Sequence, residues 1–247
     1  MAERSSQSHS SIPWGNSVDY ILTGLKEAIH LLFSFDRETY TIIFLSLRIS
    51  GTAVLLASCL GIPLGALVGL HRFPGRGVIT TILNTCFSLP TVVVGLFLYL
   101  FLSHRGPLGM LGLLYTPTAM ITAQTILATP IIAALSLVAV KGVDPAITKS
   151  AISLGATRIQ TTLTILKEAR VAILAALIAG FGRVITEIGA AMIVGGNIKG
   201  TTRVMSTAIA LETGKGSFEL ALALGIILLA TAFLINAGLY YLQRIRE

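Results

Sequence analysis

Long apolar stretches separated by short polar segments are the main feature of this sequence. A helix needs about 20 mostly apolar residues to cross the hydrocarbon core of a bilayer. Five stretches are long enough, namely residues 51–70, 78–103, 117–140, 171–195 and 220–242. Of these only the fourth contains charged residues, Arg183 and Glu187. The pattern therefore predicts an all-α protein, a polytopic membrane bundle with five core transmembrane helices.

The N-terminal part of the chain has a different pattern. Residues 1–17 are polar and are expected to form a flexible tail. Residues 18–36 predict an amphipathic helix whose apolar stripe consists of Ile21, Leu25, Ile29 and Leu32. Such a helix suits the membrane interface, and insertion of this segment as a sixth span is the alternative. The transmembrane domain itself is then expected to cover residues 45–247.

Glycines recur at every fourth position in the first apolar stretch, at Gly61, Gly65 and Gly69. This spacing places them on one face of a helix. A row of small residues lets a neighbouring helix approach closely in a membrane. The row therefore predicts a tight helix–helix contact.

The composition agrees with a bundle that faces lipid. Only 12% of the 247 residues are charged and 54% are hydrophobic, with a mean hydropathy of +0.84. A soluble domain has about 25% charged residues. The net charge of +7 fits the excess of Lys and Arg in cytoplasmic loops better than a nucleic-acid site. The sequence shows neither the spacing of a metal site nor a catalytic cluster, so neither a catalytic nor a metal-binding residue is predicted.

Basic residues also predict the orientation. They are denser in the segments that would share a side of the membrane with residues 141–170 than in the other polar segments. By the positive-inside rule, loop 141–170 and the C-terminus lie inside the cell. With five spans the N-terminus is then outside.

The loop between the third and fourth stretches predicts two short helices. Asp144 suits a helix N-cap and Pro145 the first helical turn, and Gly155 can end the helix in the left-handed conformation. Apolar residues follow at helical spacing on each side of this glycine, at Ile147, Ala151, Leu154, Ile159, Leu163 and Leu166. The result is a helix–Gly–helix hairpin with an apolar ridge that fits a groove of a partner protein. An ordinary connector packed on its own bundle explains the spacing equally well.

This loop resembles the cytoplasmic loop of binding-protein-dependent ABC importer permeases. That family's pattern is E-A-A, three residues, G, nine residues, and I-x-L-P. Ala151, Gly155 and Ile165 match it. Lys149 stands where the family has its glutamate, Ser150 replaces the first alanine, and the Leu-Pro pair is Lys-Glu here. The resemblance implies that the ATPase-coupling residues are Ile147, Lys149, Ala151, Leu154, Gly155 and Ile159.

Three further segments extend the resemblance over most of the chain. Residues 46–77, the S-L-P-T-V-V-V-G-L stretch at 88–96, and residues 180–211 are similar to the molybdate, tungstate and sulfate permeases, and closest to the tungstate branch. The resemblance implies a type I permease subunit of an ATP-driven importer of a tetrahedral oxyanion. Molybdate or sulfate instead of tungstate, or a stand-alone ion-coupled anion transporter, are the alternatives.

The same resemblance implies partners and a location. A homodimer of this chain would form the pore, above two cytosolic ATP-binding subunits and below an extracytoplasmic substrate-binding protein. ATP and Mg²⁺ would bind to the partner ATPase, so this chain is expected to hold no cofactor and to be no enzyme. The location implied is the inner, or plasma, membrane of a prokaryote.

Candidate residues for a translocation pathway come from polar groups and prolines inside the apolar stretches. An unpaired Arg at the bilayer centre costs roughly 2.5–3.5 kcal/mol on insertion scales, and Arg183 and Glu187 are four residues apart, so they can share one helix face. They either serve an anion pathway or form a structural ion pair. Pro90 can kink its helix at a constriction beside Thr91, and Asn197 belongs to the Gly-Asn-Ile segment of the resemblance.

Residues 195–202, G-G-N-I-K-G-T-T, approach the phosphate-binding pattern G-x4-G-K-[ST]. Thr201 occupies the place of the lysine that would neutralise phosphate charge. Nucleotide binding is therefore excluded for this segment. Its glycines are predicted to turn the chain at the outer end of the fourth span, and residues 205–211 to form a short helix by resemblance to the family.

Overall fold

The computed structural model describes residues 17–34, 36–71 and 73–244. Within these residues the chain forms eleven α-helices, two short 3-10 helices and no strand. The predicted polar tail lies outside the described residues except for Ser17. The α-helices are α1 Ser17–Phe33, α2 Arg37–Leu70, α3 Arg76–Thr85, α4 Thr91–Leu102, α5 Pro117–Lys141, α6 Pro145–Ser153, α7 Arg158–Glu168, α8 Arg170–Ile185, α9 Gly189–Gly195, α10 Met205–Gly214 and α11 Phe218–Arg244.

Three helices are long and apolar enough to cross a membrane. They are α2, α5 and the Phe218–Gly238 part of α11. Helix α2 has 34 residues and starts at Arg37, whereas the predicted apolar stretch began at residue 51. The stretch was predicted too short because Arg48 interrupts the apolar pattern without ending the helix. The all-α membrane bundle expected from the sequence is confirmed.

The second and fourth predicted spans are each formed by two helices with a break between them. The pair made of α3 with its 3-10 turn and α4 bends by 97°, and the pair α8 and α9 bends by 59°. At the first break Leu89 is extended, with φ −60° and ψ 125°, as steric contact with the following proline ring requires. If each bent pair counts as one span, the described residues hold five, and the span number remains a prediction.

Prolines inside the other spans do not break them. Pro130 lies within the continuous helix α5, and Pro63 lies within α2. Neighbouring helices can support the backbone groups that a proline frees in a membrane helix. Of these three prolines, only Pro90 lies at a helix break, where the preceding residue Leu89 is extended.

Helices α2 and α5 form the tightest contact of the bundle, as the glycine row predicted. A Cβ at Gly65 would lie 2.3 Å from the Ala133 carbonyl oxygen, and one at Gly61 would lie 2.9 Å from the Thr129 carbonyl oxygen. Real Cβ atoms do not approach backbone so closely, so only glycine permits this separation. The two helices consequently behave as one packed unit.

The core between the helices consists mainly of small and branched apolar residues, including Ala57, Ala128, Ile132, Val184 and Ile227. Large apolar side chains instead cover the outside of the bundle. They include Leu55, Leu60, Phe97, Leu229 and Phe233, all more than half exposed. A lipid environment accepts such a surface, whereas water would not.

Helix α1 packs on the start of α11 through its small residues. A Cβ at Gly24 would lie 2.6 Å from Leu222 Cδ2, and Ala28 is buried. In the predicted apolar stripe, Ile21, Leu25 and Ile29 are about half exposed and point away from the bundle. The stripe is thus available to lipid, and an interfacial position of α1 remains a prediction.

Candidate coupling surface and translocation pathway

The predicted helix–Gly–helix hairpin is present as α6 and α7. The Asp144 carboxylate accepts a hydrogen bond from the Ala146 N–H at 2.8 Å and caps α6, with Pro145 in the first turn. Gly155 has φ +82° and no atom near its missing Cβ, so it is needed for its backbone conformation alone. Thr157 and Gln160 form a reciprocal capping box at the start of α7.

The exposed apolar surface of the hairpin differs from the predicted ridge. Leu154 and Ile159 are 88% and 74% exposed, as a docking surface requires, but Ile147 and Ala151 are partly buried. Ile152 is 60% exposed and was not predicted as part of the ridge. Helical spacing identifies a face, but it does not say whether that face looks outward or towards the chain's own bundle.

The other end of α7 is fixed to the membrane bundle. Ile165, which matches the isoleucine of the family pattern, is 5% exposed and packs in a cluster with Ala139, Ala169 and Ile173. Ala139, Ile165 and Ile173 belong to α5, α7 and α8, and Ala169 lies between α7 and α8. The base of the hairpin is therefore packed against α5 and α8. Lys149 lies on the solvent-exposed part of α6.

The Arg183–Glu187 pair forms, with 2.8 Å between Nη1 and Oε2. Glu187 is 3% exposed, whereas 37% of the Arg183 side chain is exposed. The second carboxylate oxygen of Glu187 accepts the Ala190 N–H at 3.1 Å. The carboxylate therefore neutralises Arg183 and also satisfies a free N–H in the first turn of α9.

Backbone groups next to this pair are held by other helices. Ser206 Oγ donates to the Glu187 carbonyl oxygen at 2.8 Å, from the first turn of α10. Gln124 on α5 donates from Nε2 to the Val184 carbonyl oxygen at 3.2 Å. The corner between α8 and α9 is thus connected to two further helices by polar contacts.

Pro90 and Thr91 lie against the same corner. A Cβ at Gly189, the first residue of α9, would lie 2.8 Å from a Val92 methyl carbon and 3.0 Å from Thr91 Oγ1. A Cβ at Gly95 would lie 2.8 Å from Ala190 Cα, so α4 and α9 run in close contact. The two helix breaks, at Pro90 and before Gly189, therefore adjoin in space.

Asn197 lies in the turn after α9 with φ +51°. Its Nδ2 donates to the Thr207 carbonyl oxygen at 3.3 Å, in the first turn of α10, while its buried Oδ1 has no hydrogen-bond partner in the described part of the chain. Thr202 Oγ1 accepts the Ile198 N–H at 2.9 Å and donates to the Gly195 carbonyl oxygen. The segment that approached a phosphate loop is thus a compact turn between two helices.

The structure consequently gathers Thr91, Glu187 and Asn197 around α9 and the start of α10, with Arg183 one turn before Glu187. Two polar residues of this region were missed in the sequence. Gln124 is 2% exposed and has an Oε1 without a partner among the described residues, and Ser46 accepts the Met205 N–H at 2.8 Å. A lone glutamine in the apolar stretch 117–140 was the available signal for Gln124. Ser46 gave no such signal.

Residues 61–246 match the family described as binding-protein-dependent transport system inner membrane component. The chain is 43% identical, over 226 residues, to the tungstate uptake system permease protein TupB of Peptoclostridium acidaminophilum, covering 92% of this chain and 99% of that protein. It is 40% identical to the protein of the same name from Campylobacter jejuni, covering 92% and 95%. The molybdenum transport permease ModB of Escherichia coli is 29% identical and covers 68% of this chain and 76% of its own length.

Solved structures resemble the fold. A bacterial alginate ABC transporter, solved in complex with an alginate-bound periplasmic protein, has a chain with TM-score 0.73 and 23% identity, covering 92% of this chain and 87% of that one. The resemblance confirms the type I importer permease fold. Because the family match extends over most of the sequence and two relatives exceed 30% identity over nearly their full length, this chain belongs to the family of inner-membrane components of binding-protein-dependent transport systems.

Proposed function

We propose that this chain is the permease subunit of an ATP-driven tungstate importer. The observation that carries this proposal is the 43% and 40% identity to two tungstate uptake permeases over 92% of the chain. The molybdenum permease is only 29% identical and covers 68% of the chain. Molybdate and sulfate are therefore the alternative substrates. The pore itself needs only weak contacts with a passing dianion.

The surface of the hairpin supports the proposal of a partner ATP-binding subunit. The exposed Leu154 and Ile159 side chains offer an apolar tip, which is the kind of surface that a groove on an ATP-binding subunit would cover. A homodimer would place two such tips beneath one pore. ATP and Mg²⁺ would bind to the partner subunits, and a substrate-binding protein would deliver the anion from outside. Loop 141–170 then lies inside the cell and the protein in the inner membrane.

The pathway is proposed to pass the corner where the two helix breaks adjoin. The part-exposed guanidinium of Arg183 offers donors to a tetrahedral oxyanion, and Thr91 and Asn197 add neutral polar groups nearby. Glu187 is nearly buried and already paired, so its role is to hold Arg183 and α9. A carboxylate facing the path would repel the substrate.

The test is uptake into proteoliposomes that contain the permease, its ATP-binding subunit and its binding protein. Internal tungsten, molybdenum and sulfur are measured by mass spectrometry with ATP inside the vesicles. We expect ATP-dependent tungsten accumulation, and none with a non-hydrolysable ATP analogue or without the ATP-binding subunit.

Two results would contradict the proposal. Accumulation by this chain alone, without ATP, would indicate a stand-alone transporter. Preferential uptake of molybdate or sulfate at equal concentrations, with a binding protein that also binds tungstate, would assign another oxyanion.

A further inference from the structure

A basic pocket lies where the hairpin meets the ends of the membrane helices. It has a volume of about 780 Å³. Its walls come from the end of α2, the start of α3, the end of α5 and both hairpin helices. Four cationic side chains line it: Arg76, Lys141, Lys149 and Arg158.

No carboxylate belongs to the lining, and none of these four cations forms an ion pair with a described residue. Arg76 Nη2 donates to the Gly69 carbonyl oxygen at 2.8 Å, and its buried Nε has no partner among the described residues. At the other end of the bundle the basic residues Lys199 and Arg203 are neutralised, because Glu38 pairs with both. Four unneutralised cations around one cavity repel each other, and a bound anion would remove that repulsion.

We propose that this pocket binds a tetrahedral oxyanion group, either the phosphate of an anionic lipid headgroup or a free oxyanion. Two guanidinium groups can donate paired hydrogen bonds to such a group, and two ammonium groups act as point charges. The pocket lies at the ends of the spanning helices α2 and α5, which is the level of the headgroups. Its inner-side position rests on the proposed function.

The pocket also gives a role to the departure at Lys149. The family pattern has a glutamate at this position, and a carboxylate there would neutralise part of the pocket. With lysine, α6 contributes a positive charge to a wall that already has three. Anion binding would therefore connect the coupling hairpin directly to the ends of α2, α3 and α5.

The test is lysine footprinting of the permease bound to its ATP-binding subunits in nanodiscs. An acetylating reagent modifies exposed lysines, and mass spectrometry reports Lys141 and Lys149 relative to Lys167, an exposed lysine on α7 outside the pocket lining. One arm replaces part of the phosphatidylcholine with phosphatidylglycerol. The other adds inorganic phosphate or tungstate at constant ionic strength. We expect modification of Lys141 and Lys149 to fall by about threefold in one arm, the factor for two-thirds occupancy.

The variants Arg158→Gln and Arg76→Gln/Arg158→Gln keep both reporter lysines and should reduce or abolish this protection. The matched variant Arg105→Gln, exposed and outside the pocket, should not. Protection by phosphatidylglycerol alone identifies a headgroup, and protection by phosphate or tungstate alone identifies a free oxyanion. The proposal is overturned if neither arm protects, if Lys167 is protected equally, or if Lys149 is unreactive from the start because a protein subunit covers it. None of these readouts requires transport, so they are independent of the uptake test.

Discussion

Replacing Glu187 tests how the corner between α8 and α9 is held. Its carboxylate bonds the Arg183 guanidinium at 2.8 Å and the Ala190 N–H at 3.1 Å while it is 3% exposed. Loss of a helix cap costs about 1 kcal/mol. Breaking a fully buried ion pair costs about 3–5 kcal/mol, but 37% of the Arg183 side chain is exposed, which reduces this term to about 1–2 kcal/mol. Glu187→Ala should therefore destabilise the fold by about 2–3 kcal/mol.

Glu187→Gln separates the two contributions. The amide oxygen can still accept the Ala190 N–H, so only the charge is lost, at about 1–2 kcal/mol. Glu212→Gln is the matched control, because Glu212 pairs at 2.7 Å with Lys215, whose side chain is 52% exposed. Solvent screens such a pair, which contributes about 1 kcal/mol or less. Thermal unfolding of the complex in nanodiscs should rank the losses as Glu187→Ala, Glu187→Gln and Glu212→Gln. Equal midpoints for Glu187→Ala and Glu212→Gln would refute the reasoning.

The same pair separates a pathway role from a structural one. In Arg183→Gln/Glu187→Gln no charge is left unpaired, so stability should recover relative to Arg183→Gln alone. If Arg183 contacts the passing anion, ATP-driven uptake should still fall by at least about tenfold, which corresponds to one lost charged hydrogen bond. Recovery of both stability and uptake would show that the pair is only structural.

Three further predictions concern other parts of the molecule. Gly65→Ala should destabilise the complex by about 1–3 kcal/mol in thermal unfolding, because the added Cβ meets backbone at 2.3 Å. Gly51→Ala on the same helix meets no atom within 4 Å and should not lower the unfolding midpoint, because Ala has a higher helix propensity than Gly. Leu154→Glu should leave the permease folded, because Leu154 is 88% exposed, but it should weaken co-purification of the ATP-binding subunit by at least about tenfold. Thr164→Glu, at another exposed position of the hairpin, is the control. An equal loss in both variants would point to general charge repulsion. The Thr39 hydroxyl and N–H hold the pKa of Asp36 below its ordinary value of 3.8, so the stability that its cap gives to α2 is present above that value and lost as pH falls through the lowered pKa. The difference in unfolding midpoint between wild type and Asp36→Ala should therefore be constant down to about pH 5 and disappear in stronger acid.

Local signals in the sequence were sufficient for the hairpin and for a tight helix–helix contact at the glycine row of α2, but not for the identity of its partner, α5. Asp144, Pro145 and Gly155 each act within one helical turn, and the glycine row acts through a spacing that any helix preserves. The resemblance to the family supplied the short helix α10. The hairpin and the glycine row depend on neighbours in the chain, so a sequence alone can predict them.

Contacts between distant residues could not be predicted in this way. Gln124 reaches the Val184 carbonyl group across 60 positions of sequence, and Glu187 caps α9 only because the helix breaks beside it. The prolines give the clearest contrast, since Pro90 adjoins a 97° bend while Pro63 and Pro130 lie within continuous helices. Whether a proline ends a helix depends on the packing around it. The partial burial of Ile147 and Ala151 was unpredictable for the same reason.

The arrangement of rigid and broken helices suggests how motion of the hairpin reaches the proposed pathway. Ile165 and Ala169 fix α7 to α5 and α8, and the glycine contacts lock α5 to α2. Displacement of the hairpin should therefore move α2 and α5 as one body, because their backbones are too close to slide independently. Gln124 on α5 bonds the end of α8, while Glu187 in the same corner bonds Arg183, α9 and α10. The polar groups of the corner are thus attached to the α2–α5 unit on one side and to the broken pair α8 and α9 on the other. In this arrangement a rigid displacement of α2 and α5 should change the geometry around Arg183.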